Sequence, residues 1–225
     1  MSAAAAGRCW LKRGRRAVDH RMPPTQTTGE FAHCETARRR EVILDSAAGI
    51  AIEGGYDAVK MRTVADGAGI AVGTLYRYFP SKPHVLVAVL ARAFERLGAE
   101  RDWADTGVSP QLRLGHLNAR LQEEWRSKPA LTEAVTRAFV FADASATAEV
   151  DHAASVIEHL LGVAIAGGEP NPQQHRLASV ILDIWLASLI TWIRHGTSAA
   201  DVAIRLDRCI GLMLGDQEDG KREEL

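Results

Sequence analysis

The chain has 225 residues, 47% hydrophobic and 24% charged, a balance that excludes a fibrous or largely disordered protein and fits one or two globular domains. Three cysteines without a CxxC pair exclude a disulfide framework and fit a reduced cytoplasmic setting. The net charge of −1 is unevenly distributed: residues 1–96 carry 15 Lys and Arg against 9 Asp and Glu, and residues 97–225 carry 12 against 19. This split suggests that only the N-terminal part faces phosphates, although unrelated solvated faces would give the same numbers.

Residues 1–35 are predicted to form a disordered basic tail. They combine small residues, the basic cluster at 12–16 and the pair Pro23-Pro24, without a sustained apolar period. The segment is a solvated tail, a basic arm that touches DNA, or an artefact of a translation start that really lies at Met22. No apolar secretory segment is visible at the start.

Four helices are predicted in residues 36–101, which we interpret as one domain. Gly54-Gly55 ends the first, because glycine readily takes the left-handed conformation after a helix. Pro80 ends the third, because proline lacks a backbone N–H and disfavours helix at the residue before it. The hydroxyl of Ser81 can cap the fourth. The predicted helices are 36–53, 62–67, 72–79 and 81–101.

The remainder is also predicted to be helical, so the fold class is all-α. The loop Asp102–Pro110 separates a second domain, 102–217, from the first, and 218–225 is predicted to be a disordered tail. The stretch Leu177–Ile193 is apolar, but Asp183 within it disfavours a membrane span, so we expect a buried helix. The predicted helices are 111–127, 129–142, 147–166, 173–195 and 199–214.

The segment 62–79 has the pattern of a helix-turn-helix, two short helices joined by the glycine-containing turn 68–71. Small or apolar side chains are available for its inner faces, namely Val64, Ala65, Ile70 and Leu75. Polar or amphipathic side chains are available for contacts with phosphates and base edges, namely Thr74, Tyr76, Arg77 and Tyr78. An ordinary pair of core helices would also fit this pattern.

Residues 68–82, AGIAVGTLYRYFPSK, together with Met61–Ala65, resemble the TetR family of transcriptional repressors. The resemblance covers residues 38–98 and implies a three-helix reading head that binds double-stranded DNA, with Leu75 and Phe79 in its core. The residues that it places at the DNA face are Met61, Arg62, Val72, Gly73, Thr74, Tyr76, Arg77, Tyr78 and Lys82.

The C-terminal half is similar to one branch of that family, the KstR repressors of sterol and cholesterol catabolism in actinobacteria. The stretches 131–151, 183–193 and 215–217 carry this similarity, which extends over about residues 36–217. It implies a repressor that binds palindromic operators of sterol-catabolism genes, works without a cofactor and is released by a CoA thioester of a steroid side-chain intermediate. The closest alternative is a TetR-type repressor that responds to fatty acyl-CoA or hydrophobic drugs.

The ligand is expected in an apolar C-terminal pocket with a few polar anchors. Core packing is the alternative interpretation for each candidate, and the CoA-contacting residues are not assigned. The candidate lining residues are Leu117, Leu121, Trp125, Phe139, Phe141, Trp185, Leu189 and Trp192.

The last two helices are the expected homodimer surface, where two helices from each subunit would form a four-helix bundle. A two-fold dimer would then present two recognition helices to a near-palindromic operator. The apolar residues expected at this surface are Ile181, Ile184, Leu186, Ile193, Ile204, Ile210 and Leu214.

Two other classes of protein compete with this interpretation. An enzyme is disfavoured because the chain lacks a nucleophile elbow, a phosphate loop and an HExxH pattern. His152 and His159 have no convincing additional ligands, so we predict no metal site. A structural helical adaptor would need neither the 73–79 surface nor the charge split. The repressor is therefore expected in the cytoplasm, associated with the nucleoid and not with a membrane.

Overall fold

The computed structural model describes residues 26–100, 103–104, 106–195 and 199–219, and these form nine α-helices and no β-strand. The all-α prediction is confirmed. The helices are α1 (Gln26–Ala58), α2 (Met61–Gly67), α3 (Val72–Tyr78), α4 (Lys82–Glu100), α5 (Pro110–Ser127), α6 (Pro129–Val140), α7 (Thr147–Ala166), α8 (Pro172–His195) and α9 (Ala199–Asp219), with a 3₁₀ turn at Ala144–Ala146.

The start of α1 differs from the prediction, because residues 26–35 are helical and not disordered. In this segment the carboxylate of Glu35 pairs with Arg38 at 3.7 Å and with Arg39 at 3.0 Å. Such pairs stabilise an exposed helix by about 0.2–0.5 kcal/mol each. Apolar periodicity detects only helices that bury a face, so a polar helix gives no such signal. Residues 1–25, with their basic cluster, lie outside the described residues.

The end of α1 agrees with the prediction. Gly55 has φ 66° and ψ −164°, a conformation that a residue with a Cβ rarely adopts, and it interrupts the helix where Gly54-Gly55 was expected to end it. After this break the side chain of Val59 is fully buried. The glycine therefore turns the chain from α1 towards the start of α2.

Residues 43 onward form one compact unit in which α4 is the central helix. α4 packs against α6 and α7, and every residue from His84 to Arg92 is buried. The predicted boundary at 101/102 therefore does not separate two cores, because the last helix of the first domain lies inside the packing of the second. A displacement of α4 would therefore change the packing of both the N-terminal helices and the C-terminal helices.

A buried arginine fixes the end of α7. Arg113 on α5 donates from Nε to the Ala164 carbonyl oxygen at 2.7 Å and from Nη2 to that of Ile165 at 3.0 Å. These are carbonyls that the helix itself leaves without partners. Gly167 follows with φ 70°, and a Cβ at this position would lie 3.0 Å from the guanidinium group. This arrangement ties α5 to α7 and so fixes one wall of the ligand region.

α8 is long and apolar enough to cross a bilayer by length and composition, with a mean hydropathy of 1.6, but only 33% of that window is buried. Its packed face lies against α7, α9 and α6, and Asp183 near its middle is exposed. The prediction of a buried helix therefore holds for only one face of α8. One face is core, and the other leaves apolar side chains such as Val180 and Ile190 exposed in the single subunit.

Candidate DNA interface and ligand cavities

α2 and α3 form a helix-turn-helix whose inner faces are closely packed. Val64, Ala65, Leu75 and Phe79 are all fully buried. Gly69, with φ 66°, makes the turn between the helices, and the Ile70 backbone N–H donates to the Ala65 carbonyl oxygen at 3.0 Å. Phe79 is extended, as expected for the residue before a proline, so α3 ends at Tyr78. The packing of α3 is therefore fixed by its own short sequence.

The residues predicted to contact DNA fall on the accessible part of this motif. Tyr76 is 48% exposed, although the large aromatic ring of a tyrosine usually buries most of its surface in a folded protein. Arg62, Gly73 and Arg77 are also exposed. The remaining predicted residues are half-buried: Met61, Val72, Thr74, Tyr78 and Lys82. The exposed face thus combines a guanidinium group, hydroxyl groups and a glycine that allows close approach of the backbone.

Lys82 has partners within the protein. Its Nζ donates to the Tyr56 carbonyl oxygen at 3.0 Å and lies 4.1 Å from the centroid of the Tyr56 ring. Arg137 of α6 lies 4.5 Å from the same ring and 3.9 Å from the carboxylate of Asp57. These contacts join the end of α1 to α4 and α6. Lys82 therefore positions the reading head, and any contact with phosphate would be an additional role.

His84 connects the region after α3 with the C-terminal helices. Its buried ring lies with Nδ1 2.8 Å from Ser81 Oγ and Nε2 3.0 Å from the Ser145 carbonyl oxygen. A carbonyl only accepts, so Nε2 donates to Ser145. Hydrogen bonds from the hydroxyl and backbone N–H of Ser145 hold the pKa of Asp143 below its usual value. The 3₁₀ turn is thereby ordered against the first turn of α4.

An open cavity of about 490 Å³ lies between α1, α4, α5 and α6. This volume lies within the range of sites that bind drug-sized ligands. Its apolar lining comes mainly from α4, and the remainder is shared among α1, α5 and α6, with Ala48 and Ile52, Leu121 and Trp125, and Leu131 and Val135 respectively. The cavity is therefore formed jointly by the reading head and the C-terminal helices.

The rim of this outer cavity is charged. Its charged side chains are Asp45, Arg92, Arg96, Glu100, Arg120, Glu124 and Lys128. Arg92 donates to the carboxylate of Asp45 at 2.8 Å, and Arg120 lies 3.2 Å from that of Glu100. A hydrogen bond from Lys128 lowers the pKa of Glu124, against an opposing effect of burial, and the charges of Lys128 and Arg120 lower it further by smaller amounts. Four cations and three carboxylates, joined in ion pairs, thus surround the opening to an apolar interior.

A second, inner cavity of about 30 Å³ lies among α4, α5, α7, α8 and α9. Phe94 and Leu121 line both cavities and lie between them. The Trp185 ring stacks on Trp125 at 5.9 Å between centroids and meets the edge of Phe94 at 5.7 Å. These rings tie the floor of the outer cavity to the wall of the inner one.

Four of the eight predicted ligand residues line a cavity: Leu117, Leu121, Trp125 and Trp185. Phe139 and Leu189 are buried but line neither cavity in the described part of the chain, so they are core. Phe141 is 53% exposed at the end of α6, and Trp192 is half-buried away from both cavities. These four assignments do not agree with the structure. The sequence interpretation also missed the charged rim, because polar positions on helices usually mark a solvated face.

Exposed apolar side chains lie on α8 and α9, where the homodimer surface was expected, but they are largely a different set of residues. Ile181, Ile210 and Leu214 are buried within the subunit. The exposed large apolar side chains on these helices are Val180, Ile190, Ile204 and Leu212. Of the predicted residues Ile204 is exposed at 58%, and Ile184, Leu186 and Ile193 are half-buried.

Comparison with known proteins identifies both parts of the chain. Residues 43–89 match the family model described as bacterial regulatory proteins, tetR family, and residues 107–213 match the tetracyclin repressor-like C-terminal domain. The chain is 48% identical over 184 residues to the HTH-type transcriptional repressor KstR of Mycolicibacterium smegmatis, which covers 81% of this chain and 90% of the relative. It is 49% identical over 181 residues to the KstR repressor of Mycobacterium tuberculosis, covering 80% of this chain and 82% of the relative.

A solved structure supports the same relationship at the level of the fold. A TetR transcriptional regulator from Rhodococcus superposes with a TM-score of 0.70 at 26% identity. The superposition covers 80% of this chain and 97% of that structure.

Proposed function

Because the chain belongs to the TetR family of transcriptional regulators, we propose that it is a homodimeric repressor of sterol catabolism whose operator binding is released by a steroid-derived CoA thioester. A DNA-binding repressor of this family is not an enzyme, and it acts in the cytoplasm, at the nucleoid. The observation that carries the choice of ligand is the outer cavity, in which an apolar interior opens at a charged rim of four cations and three carboxylates.

The first part of the proposal, DNA binding, rests on the exposed face of α3. Tyr76 and Arg77 supply a hydroxyl and a guanidinium group, and the backbone at Gly73 is accessible. Arginine recognises guanine or phosphate, and tyrosine and threonine hydroxyls bond phosphates. In a two-fold dimer two such helices would lie about 34–36 Å apart, one turn of DNA, so the operator is a near-palindrome.

The second part of the proposal, homodimer formation, rests on the outer faces of α8 and α9. Exposed side chains such as Ile190 and Leu212, the latter 69% exposed, form an apolar surface on the helices that also contain the membrane-length window. Two helices from each subunit would cover these side chains in a four-helix bundle. This arrangement accounts for an apolar helix in a protein that works on DNA.

The third part of the proposal, the identity of the ligand, rests on chemical complementarity between a steroid CoA thioester and the outer cavity. CoA carries several phosphate charges, and a steroid is a rigid apolar body. Arg92, Arg96, Arg120 and Lys128 offer charge-assisted hydrogen bonds at the rim, while α4 and α6 offer apolar contacts inside. A neutral hydrophobic drug would make no ionic contact with the charged rim.

Release follows from the position of the cavity. A ligand in the outer cavity contacts Asp45, Ala48 and Ile52 of α1 as well as α4, so it acts directly on the helix that supports the reading head. DNA and ligand then favour different arrangements of these helices, and the coupling between them is reciprocal. A coupling of about 1–3 kcal/mol would weaken operator binding about 5- to 150-fold.

Fluorescence anisotropy with a labelled operator, identified by footprinting of bound genomic sites, tests the proposal. Sites at sterol-catabolism promoters are expected. A steroid-acid CoA thioester should lower operator affinity at least about fivefold, whereas free CoA and the free steroid acid should have little effect because each uses only half of the cavity. Unchanged affinity with saturating thioester would reject this inducer, and release by palmitoyl-CoA alone would assign the repressor to fatty-acid metabolism.

A further inference from the structure

The chain enters the helix-turn-helix just after Tyr56 and leaves it just before Lys82. Tyr56 lies near the end of α1, shortly before Met61 begins α2, and Lys82 begins α4 shortly after Tyr78 ends α3. Lys82 Nζ donates to the Tyr56 carbonyl oxygen at 3.0 Å and lies 4.1 Å from the centroid of the Tyr56 ring. This contact holds the entrance and the exit of the helix-turn-helix together.

Arg137 of α6 contacts the same ring. Its guanidinium carbon lies 4.5 Å from the Tyr56 ring centroid, a distance at which an aromatic face attracts a cation. The carboxylates of Asp57 and Glu133 also lie 3.9 Å from Arg137. Asp57 is 87% exposed, so water screens its ion pair with Arg137. The ring contact is therefore the main connection between Arg137 and the end of α1.

The helix that carries Arg137 is closely packed. α6 contacts α4 and α8, so its position is set by the packing of the C-terminal helices. Its guanidinium group is thus a fixed point against which the end of α1 can be oriented. The buried residues of α6 are Thr132, Ala134, Val135, Thr136, Ala138 and Phe139.

We propose that Arg137 is a positioning residue for operator binding. Through Tyr56 it holds both chain connections of the helix-turn-helix against α6, so that α3 is presented in the orientation that the operator requires. In a dimer, rotation of either reading head changes the separation of the two recognition helices, which must match one turn of DNA. Neither Arg137 nor Tyr56 touches DNA in this role. The inference rests on the proposed function, because it concerns the orientation of a reading head on its operator.

Operator affinity of the full chain, measured by fluorescence anisotropy without any ligand, tests this inference. Tyr56→Leu removes the ring without changing the charge, and Arg137→Gln removes the cation. Each should lower operator affinity at least about threefold, because each abolishes the cation–π contact. Tyr56→Phe keeps the ring and should bind like the wild type. Arg126→Ala removes an exposed arginine of α5 and should also bind like the wild type.

Two further measurements distinguish positioning from a direct contact with DNA. The double variant Tyr56→Leu/Arg137→Gln should bind no more weakly than the weaker single variant, because both substitutions remove the same interaction. The dependence of affinity on salt concentration should keep its slope in Arg137→Gln, whereas loss of a phosphate contact would reduce that slope by about 0.9 per contact.

Three results would overturn the inference and leave the proposed function in place: wild-type affinity in Arg137→Gln, additive losses in the double variant, or a reduced salt slope in Arg137→Gln. Circular dichroism melting checks that the variants fold. Arg137 is 42% exposed, so Arg137→Gln should fold and remains decisive even if Tyr56→Leu does not. If the wild type binds no genomic site, the proposed function and the inference both fail.

Discussion

The reading head and the ligand cavities are built in opposite ways. Most of the predicted DNA face lies in one continuous segment, Val72–Tyr78, whose packing depends on Leu75 and Phe79 within and beside it. The outer cavity collects residues that are far apart in the chain, from Asp45 on α1 to Val135 on α6. A local surface can be recognised from contiguous residues, whereas a cavity depends on how separate helices pack.

The same contrast predicts how the two sites respond to substitution. Tyr76 and Arg77 project into solvent, so replacing them changes recognition and leaves the fold intact. Leu121 separates two cavities inside the core, so replacing it changes both packing and access. The following experiments test this difference, in order of decreasing expected effect.

Interrupting the dimer surface should have the largest effect. Ile204→Glu introduces a charge into the proposed bundle once from each subunit, and a buried unpaired charge costs several kcal/mol, so dimer affinity should fall roughly 100-fold or more. Analytical ultracentrifugation measures this change. Phe141→Glu alters a similarly exposed residue at the end of α6 and should remain dimeric. A dimeric Ile204→Glu protein would place the interface elsewhere.

Removing the outward side chains of α3 should abolish specific operator binding. In Tyr76→Ala/Arg77→Ala the loss of two contacts should cost about 2 kcal/mol or more, about 30-fold in affinity, while the melting temperature stays nearly unchanged because both residues are exposed. Anisotropy and calorimetry measure the two quantities. Arg126→Ala is the matched control, because this exposed arginine bonds only the Gln122 carbonyl oxygen of its own helix among the described contacts. Retained operator binding in the double variant would contradict the assignment of α3.

Filling the space between the cavities should separate ligand response from DNA binding. Leu121→Trp should cost about 1–3 kcal/mol of stability through overpacking and should eliminate release by the thioester, while operator binding persists. The operator assay with and without thioester measures this response. Phe141→Ala changes a residue that the sequence assigned to the pocket and the structure places at the surface, so it should respond normally. Loss of release in Phe141→Ala would favour the sequence-based assignment of that residue, and retained release in Leu121→Trp would contradict both assignments of Leu121.

The charged rim should make a small, pH-dependent contribution to stability. The pKa of Glu124 is lowered in the folded protein, so its ionised form stabilises the fold above the unfolded-state pKa, and this contribution is lost as the pH falls through the folded-state pKa. Because Glu124 is 43% exposed, the effect should be below about 1 kcal/mol. The stability difference between wild type and Glu124→Gln, from urea unfolding, should therefore disappear on acidification. A difference that grows at low pH would contradict this pKa direction.

Most of the fold was predictable because its helices bury one face and end at Gly or Pro. Gly55 breaks α1 where the helix was expected to end, and α3 ends two residues before Pro80. The prediction failed at residues 26–35, where a helix with exposed charged pairs has no apolar period to reveal it. Helix boundaries were thus visible where burial imposes a pattern and invisible where it does not.

The cavity was predictable only in part, for a physical reason. Leu117 and Leu189 have the same chemistry and are both buried, but packing places only the former at a cavity. Arginine side chains are mostly exposed in proteins, yet Arg92 is 7% exposed and donates to Asp45 on another helix. Single-residue chemistry does not determine which side chains face a space that four helices enclose.

The hydrogen bonds of Asn118 to Ala203 and Asp207 have a consequence for the shape of the induction curve. The same amide borders the inner cavity and holds α9, whose outward face carries Ile204 and Leu212. In the proposed dimer, an inducer that engages this amide in one subunit would act on the helix against which the partner subunit packs. Induction should therefore rise more steeply with inducer concentration than a simple hyperbola, and each dimer would respond as a single switch.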